Sequence, residues 1–220
     1  MSIRLRCCLL MLLLCTFSLA HDGNSFANLT INAFGDEVLD ISTGVSTLTD
    51  GGRVTDRASG VELESEHITY LAGSFIETGM AHLTGPFGSV TGGSVRVDIP
   101  EGEVHAHGEL EFLGPNLQVL GTELAYYVDR GVIVLTGGVD APLPGFSAAS
   151  LFYDTASGTV LLVGPYSFDD GLISLSSSQP GAYLELLGAQ ADPDGEGPAR
   201  FQVSSEPSQA TLDVFAALLD

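Results

Sequence analysis

Two histidines, His105 and His107, stand two residues apart in the segment GEVHAHG. In a β-strand this spacing places both side chains on one face, which is compatible with a pair of metal ligands. A protein metal site needs further ligands, and no third ligand can be identified from the sequence. We therefore predict no metal and no other cofactor, and interpret the pair as part of a solvated strand face.

Alternating glutamates are the second group with a possible chemistry. Glu62, Glu64 and Glu66 alternate in VELESEH, and Glu109 and Glu111 do the same further on. Two carboxyl groups about 5–10 Å apart could catalyse glycoside hydrolysis. The chain has 28 acidic residues, however, so such pairs arise without a catalytic role and indicate a hydrated face. Since the sequence also lacks a GxSxG motif and a phosphate-binding loop, we predict no catalytic residues and no enzymatic activity.

The charge of the chain excludes several classes of partner. The chain has 28 acidic residues, seven arginines and no lysine, which gives it a formal net charge of −21. Such a surface repels phosphate backbones, so nucleic acid is not a predicted partner. The apolar content of 45% is too high for a disordered acidic tail. The sequence therefore predicts a folded domain with an acidic surface.

The first 20 residues have the layout of a secretory signal peptide. Arg4 and Arg6 precede an apolar run over Cys7–Phe17, and a small-residue cleavage site ends at Ala20. We expect cleavage after Ala20 and a periplasmic or secreted protein. All three cysteines lie in this segment, so the mature chain would be held together without disulfides.

A glycine frame, Gly-x5-Gly, recurs through the middle of the chain. It reads GSFIETG (73–79), GEVHAHG (102–108), GVIVLTG (131–137) and GTVLLVG (158–164), and the first glycines are separated by 29, 29 and 27 residues. A fixed period of this length is typical of stacked supersecondary units. The five framed residues alternate in character, as expected of a strand with two different faces.

The segments in front of the frames predict tight turns. Asp40, Asp98 and Asp154 each lie four residues before a glycine, in DISTG, DIPEG and DTASG. An aspartate can accept a hydrogen bond from the backbone of the turn that it opens, and glycine can close the turn at positive φ. Each repeat is thus predicted to be two antiparallel strands joined by a turn, in an all-β domain over residues 21–188.

The C-terminal part has a different character. Residues 189–206, which include ADPDGEGPAR (191–200), are acidic and rich in Pro and Gly, and we interpret them as a linker. Residues 207–220 are predicted to form an amphipathic helix, because its apolar side chains recur at helical spacing in Leu212, Phe215, Ala216 and Leu219. The helix would either cover an open part of the sheet or dock a partner.

Two stretches, TELAYYVDRGVIVLTGGVDA (122–141) and ASLFYDTASGTVLLVGPYSF (149–168), resemble the repeat of OstA-like (LptA-like) proteins. These are periplasmic proteins of lipopolysaccharide transport and outer membrane biogenesis. The resemblance covers roughly residues 27–188 and rests on an apolar strand ending in Tyr-Asp, a glycine turn and an alternating strand. It ends in Gly-x-apolar, whose last position is occupied here by Ala81, Leu110, Val139 and Tyr166. The resemblance implies an open β-jelly roll with an apolar interior that holds acyl chains. Spacing alone leaves a β-helix or solenoid open as the alternative.

The alternation assigns one apolar face to the framed strands. We predict that this face is the ligand-binding groove, and that it is lined by Phe75, Val104, Ile133, Leu135, Val160 and Leu162. The other face also becomes apolar toward the C-terminus, which predicts a second buried surface and favours a lipid carrier. The predicted partners are acyl chains of lipopolysaccharide or another envelope lipid. Other OstA-like envelope proteins, or further copies of this chain end to end, are also expected.

Two functions follow from this pattern, and the sequence leaves both open. In the first, the protein carries or bridges an envelope lipid between membranes. In the second, it is a structural β-repeat scaffold of the envelope that packs its interior to native density. Few basic residues are available for lipid phosphates, so a less charged lipid, or one bridged by divalent cations, would suit the surface best. The mature chain would offer Arg53, Arg57, Arg96, Arg130 and Arg200.

Overall fold

A computed structural model describes residue 26 and residues 28–143, 145–190 and 200–219. The predicted signal peptide and its cleavage site lie outside the described residues. The strands are β1 (Leu29–Ala33), β2 (Glu37–Leu39), β3 (Ser46–Leu48), β4 (Gly52–Asp56), β5 (Val61–Ser65), β6 (Ile68–Leu71), β7 (Phe75–Gly85), β8 (Gly88–Asp98), β9 (Glu103–Gly114), β10 (Leu117–Tyr127), β11 (Val132–Leu143), β12 (Gly145–Asp154), β13 (Val160–Asp169), β14 (Ser174–Ser177), β15 (Tyr183–Gln190) and β16 (Arg200–Ser204). One α-helix, α1 (Gln209–Phe215), and a 3-10 turn over Ala216–Leu218 follow them.

The long strands β7 to β13 are folded across their middle, so that one antiparallel sheet forms two layers. Phe87, in the turn before β8, lies 4.7 Å from the ring of Tyr126 on β10. In a flat sheet these residues would stand about 25 Å or more apart along the strand direction, at roughly 3.3 Å per residue. Their contact therefore requires the two halves of the strands to face each other.

The short strands divide between the two layers. The layer that we call layer A contains β2, β3, β6, β15 and β16, and layer B contains β1, β4, β5 and β14. The long strands contribute one half to each layer, because β6 pairs with the start of β7 whereas β5 pairs with its end. The sheet is open, since β1 and β16 end its path and neither pairs with the other.

The bend coincides with interruptions of the strand register. Register shifts occur in the middle of the pairings from β7–β8 to β12–β13, close to the second glycine of the sequence frames. Gly93 shows why glycine is needed there: its φ is +54°, and an added Cβ would lie 1.9 Å from the carbonyl oxygen of His107. Bulges of this kind bend strands and increase their twist.

The turns follow the predicted aspartate–glycine chemistry. A carboxylate oxygen of Asp40 accepts a hydrogen bond from the Ser42 N–H at 2.9 Å, and one of Asp154 accepts from Ala156 at 3.1 Å. The closing glycines have positive φ, namely 75° at Gly44, 68° at Gly102 and 71° at Gly158. This part of the prediction is confirmed.

The predicted fold class is confirmed as well. Every strand pair in the described ranges is antiparallel, and the sheet is an open β-jelly roll followed by a short C-terminal helix. A β-helix stacks its coils through parallel pairs, and none occurs in the part of the chain that the structure describes. Within the range predicted as a linker, residues 191–199 lie outside the described residues, while Arg200–Ser204 forms β16 against β15.

Candidate functional site

The interior between the layers is built from apolar rows that run across the sheet. Cross-strand pairing places one residue from each of eight strands in what we call row 1: Ile76, Val97, Val104, Tyr126, Ile133, Tyr153, Val160 and Leu186. Row 2 lies two residues away from row 1 on each strand, toward the bend, and consists of Thr78, Val95, Ala106, Leu124, Leu135, Leu151, Leu162 and Leu184. Every member of both rows is buried. Apart from Thr78 at the β7 end of row 2, the rows form the continuous apolar face that period-two alternation predicts.

Five of the six predicted groove residues are brought together in these rows. Val104, Ile133 and Val160 belong to row 1, and Leu135 and Leu162 belong to row 2. Each of them is 0% exposed. Any ligand that contacts them must therefore separate the side chains that now cover them.

The sixth predicted residue, Phe75, lies on the opposite face of the sheet. It is half-buried beneath the guanidinium of Arg96, which stands 4.9 Å from the ring centroid, and Ile76 takes its place in row 1. The reason is the position of the glycine within the preceding turn. Leu71 pairs with Phe75, so Ser74 is an additional loop residue after Gly73, whereas the glycine of the β8–β9 loop directly precedes its strand. A slip of one residue reverses the face of every following side chain.

Aromatic side chains join the two layers. The ring of Phe112, in layer B, lies 5.6 Å from that of Tyr153 in row 1, and Phe87 contacts Tyr126 in the same row. Burial raises the pKa of both tyrosines, Tyr126 and Tyr153, above the ordinary phenol value. The interior is thus filled with side chains around these contacts.

A cleft among the described residues reaches this interior from outside. It has a volume of about 280 Å³ and lies between the β9–β10 turn of layer B and the β12–β13 turn of layer A. Its lining includes Leu117, Tyr153, Val160 and Phe201, two of which belong to row 1. We call it the mouth cleft. Phe201 is half-buried in its lining, whereas Tyr153 and Val160 are buried.

The outer face of layer A carries a second apolar cluster, and the protein's own helix covers it. Phe215 of the C-terminal helix is 0% exposed and packs with Val132, Phe152 and Leu161. The second buried surface that the sequence predicts is therefore present. Because α1 occupies it, the apolar character of both faces does not argue for a lipid at this surface.

A buried carboxylate fixes the start of that helix. Glu185 on β15 is 2% exposed and accepts hydrogen bonds from the backbone N–H and the hydroxyl of Ser208, both at 3.2 Å. The hydroxyl of Thr211 donates a further bond to it. Sequence reasoning missed Glu185, since a single acidic residue in an apolar strand gives no indication of its partners.

The other candidate residues lie apart from the interior. His105 pairs with Glu103 at 3.0 Å, and His107 is exposed. Within the described ranges no group of three His, Cys, Asp or Glu residues could hold a metal ion. Glu62 and Glu64 both form ion pairs with Arg53, at 3.3 and 2.7 Å.

No helix in the described part of the chain has both the length and the apolarity needed to cross a membrane. No protein-family model matches the chain, and no curated protein matches it. Among solved structures, it is similar to LptH from Pseudomonas aeruginosa, described as the LptA homologous periplasmic component of the lipopolysaccharide transport device. The two are 14% identical over 84% of this chain and 99% of that one, with a TM-score of 0.28. At that TM-score the likeness carries no argument about this chain.

Proposed function

We propose that the protein is a non-enzymatic lipid-binding protein of the periplasm. It would carry or bridge lipopolysaccharide or another envelope lipid between membranes by holding acyl chains between layers A and B. The observation that supports this best is the pair of apolar rows, which are continuous across eight strands and reached at the mouth cleft. Burial of an acyl chain contributes about 0.8 kcal/mol per methylene, so ten methylenes would contribute ~8 kcal/mol before binding costs.

Entry of an acyl chain would begin at the mouth cleft. On this side of the molecule the turns of the two layers face each other across the cleft, which Leu117 of layer B and Val160 of layer A both line. Separating the layers there breaks no bond of the strand ladders, because those bonds run within each layer. Among the side chains that the structure describes, no basic one lines the cleft, so the interaction would depend on the acyl chain more than on lipid phosphates.

A photo-crosslinking experiment tests this proposal with a matched pair of phenylalanines. Phe201 lies at the mouth cleft and Phe75 on the outer face, and both are half-buried. Benzoylphenylalanine is introduced at each position, and the protein is irradiated in its own cell envelope. We expect lipid adducts at position 201 and none at position 75, detected by mass spectrometry. Equal labelling at both positions would refute entry at the mouth cleft.

The second candidate function is a structural β-repeat scaffold of the envelope. The observation that favours it is the complete burial of Val104, Ile133 and Leu162, which is what a packed core shows. Native mass spectrometry of protein purified from its own envelope separates the two functions. Co-purifying lipid supports a carrier, whereas a lipid-free protein without crosslinks at position 201 supports the scaffold.

We also propose association with another OstA-like envelope protein or a second copy, end to end. The β1–β2 end of the sheet carries exposed apolar side chains, among them Phe34, Val38 and Ile41. Edge strands offer unpaired backbone groups to another strand. Sedimentation velocity at rising protein concentration should show assemblies that Val38→Asp weakens.

The same preparation tests the predicted cleavage of the signal peptide after Ala20, since N-terminal sequencing should start at His21.

A further inference from the structure

A second concave surface lies outside the interior, at the bend of the strands β11 to β14. This groove has a volume of about 640 Å³ and is separate from the mouth cleft. Its lining contains a row of exposed polar side chains that cross-strand pairing aligns: Asp140, Ser147, Ser167 and Ser176. We call it the serine groove.

The polar groups of the serine groove are free to meet a ligand. Among the residues that the structure describes, Asp140, Ser147, Ser167 and Ser176 make no side-chain hydrogen bond or ion pair. A hydroxyl both donates and accepts hydrogen bonds, and a carboxylate accepts them strongly. Four such groups in one row suit a ligand that itself carries many hydroxyls.

Charge narrows the class of ligand further. No arginine or histidine lines the serine groove, and the chain has a formal net charge of −21. An anionic ligand would be repelled by this charge, whereas a neutral ligand loses no binding free energy to repulsion.

The dimensions of the groove fit a chain of sugars better than a single one. Neighbouring strands lie about 4.8 Å apart, which is close to the length of one hexose unit in an extended polysaccharide. At Gly138 the serine groove adjoins a second groove of about 380 Å³, whose lining includes Thr91, Glu109 and Thr122. The two together cross the strands from β8 to β14.

We infer that the serine groove binds a neutral glycan chain, with Asp140 and the aligned serines hydrogen-bonding its hydroxyls. This site is independent of lipid binding between the layers. The sugar could belong to a free polysaccharide or to the head of a glycolipid, and both present the same chemistry to the groove.

The test uses the full mature protein and lipid-free probes. Native gels that contain hydroxyethyl cellulose or dextran should retard its migration, and calorimetry with an oligosaccharide of the retarding polymer should give its affinity. The double variant Ser147→Val and Ser167→Val should weaken that affinity at least tenfold. Ser174→Val is the matched control, because Ser174 is also an exposed serine of β14 but does not line the groove. Circular dichroism checks that all variants keep the parental fold.

The outcomes separate this site from the interior. Retardation that the double variant loses and the control keeps supports the serine groove, and a glycolipid head is the source if its delipidated sugar competes. The inference is overturned if neither polymer retards the protein, or if the double variant binds as the parent does. It is also overturned if only acylated glycolipid binds while its delipidated sugar does not, and that result leaves the lipid proposal intact.

Discussion

Glu185 is the residue whose removal should loosen the C-terminal helix most directly. Its carboxylate is buried and accepts bonds from Ser208 and Thr211, so Glu185→Ala leaves these donors without their acceptor. We expect a loss of about 1–3 kcal/mol in the free energy of unfolding, measured by urea titration. Glu206→Ala, at an exposed position, should change it by less than ~0.5 kcal/mol. Equal effects of the two substitutions would show that the bonds to Glu185 contribute nothing.

Asp56 should make the free energy of unfolding of the domain depend on pH in the acidic range. Burial raises the pKa of its carboxyl, but hydrogen bonds from Ser59 and Ala58 outweigh this effect and leave the pKa below its ordinary value. Because the pKa is lowered in the folded state, the Asp56 carboxylate contributes fully to the free energy of unfolding at pH values above its unfolded pKa of about 3.9. This contribution is lost as the pH falls below that value.

The substitution Asp56→Asn should therefore destabilise the protein at neutral pH, and the difference from the parent should shrink as the pH falls below about 4. Urea titrations at a series of pH values measure this difference. A difference that stays constant down to pH 3 would contradict the assigned role of the carboxylate.

At the scale of the elements, the bends and the turns should respond differently to the same substitution. Gly93 and Gly73 both have positive φ, at 54° and 71°, but only Gly93 is crowded by backbone. Gly73→Ala should cost about 1–2 kcal/mol for the left-handed conformation alone. Gly93→Ala should cost clearly more, because an added Cβ at 1.9 Å from the carbonyl oxygen of His107 forces the strands apart. Urea unfolding measures both, and similar losses would mean that the bend is not held by close backbone approach.

The C-terminal helix is an element whose removal should expose an apolar surface. Deleting the chain after Ser204 would uncover Val132, Phe152 and Leu161, which now pack against Phe215. We expect the shortened protein to keep its strand signal in circular dichroism but to bind the dye ANS and to associate. Dye binding no greater than that of the parent would show that the helix is dispensable as a cover.

For the whole molecule, the excess of negative charge should make stability depend on salt. A formal net charge of −21 means that folding brings like charges together. Salt screens this repulsion over about 10 Å at 0.1 M. The melting temperature should therefore rise by several degrees between low salt and 0.5 M NaCl. A melting temperature that falls over this range would indicate that ion pairs such as Arg53–Glu64 outweigh the repulsion.

Local sequence rules predict much of this architecture. They do not fully predict the face on which each side chain lies or the folding of the sheet into two layers. Alternation and aspartate–glycine turns are properties of a few neighbouring residues, and they predicted the strands and the inner-face position of five of the six candidate residues. Phe75 was assigned to the wrong face because Ser74 is an extra loop residue that no local pattern reveals. The folding of the sheet and the docking of α1 depend on contacts between residues far apart in sequence, such as Phe87 with Tyr126.

The uninterrupted pairing of consecutive strands from β7 to β13 has an evolutionary consequence. Each of these strands contacts the one before it and the one after it, so no distant segment fixes their number. Duplication of one hairpin would extend both layers, the apolar rows and the outer groove by the same two strands. Each existing strand would still pair with a strand equivalent to its present neighbour. Relatives of different length could thus differ by whole hairpins, and the span of any chain-like ligand would change in steps of two strands.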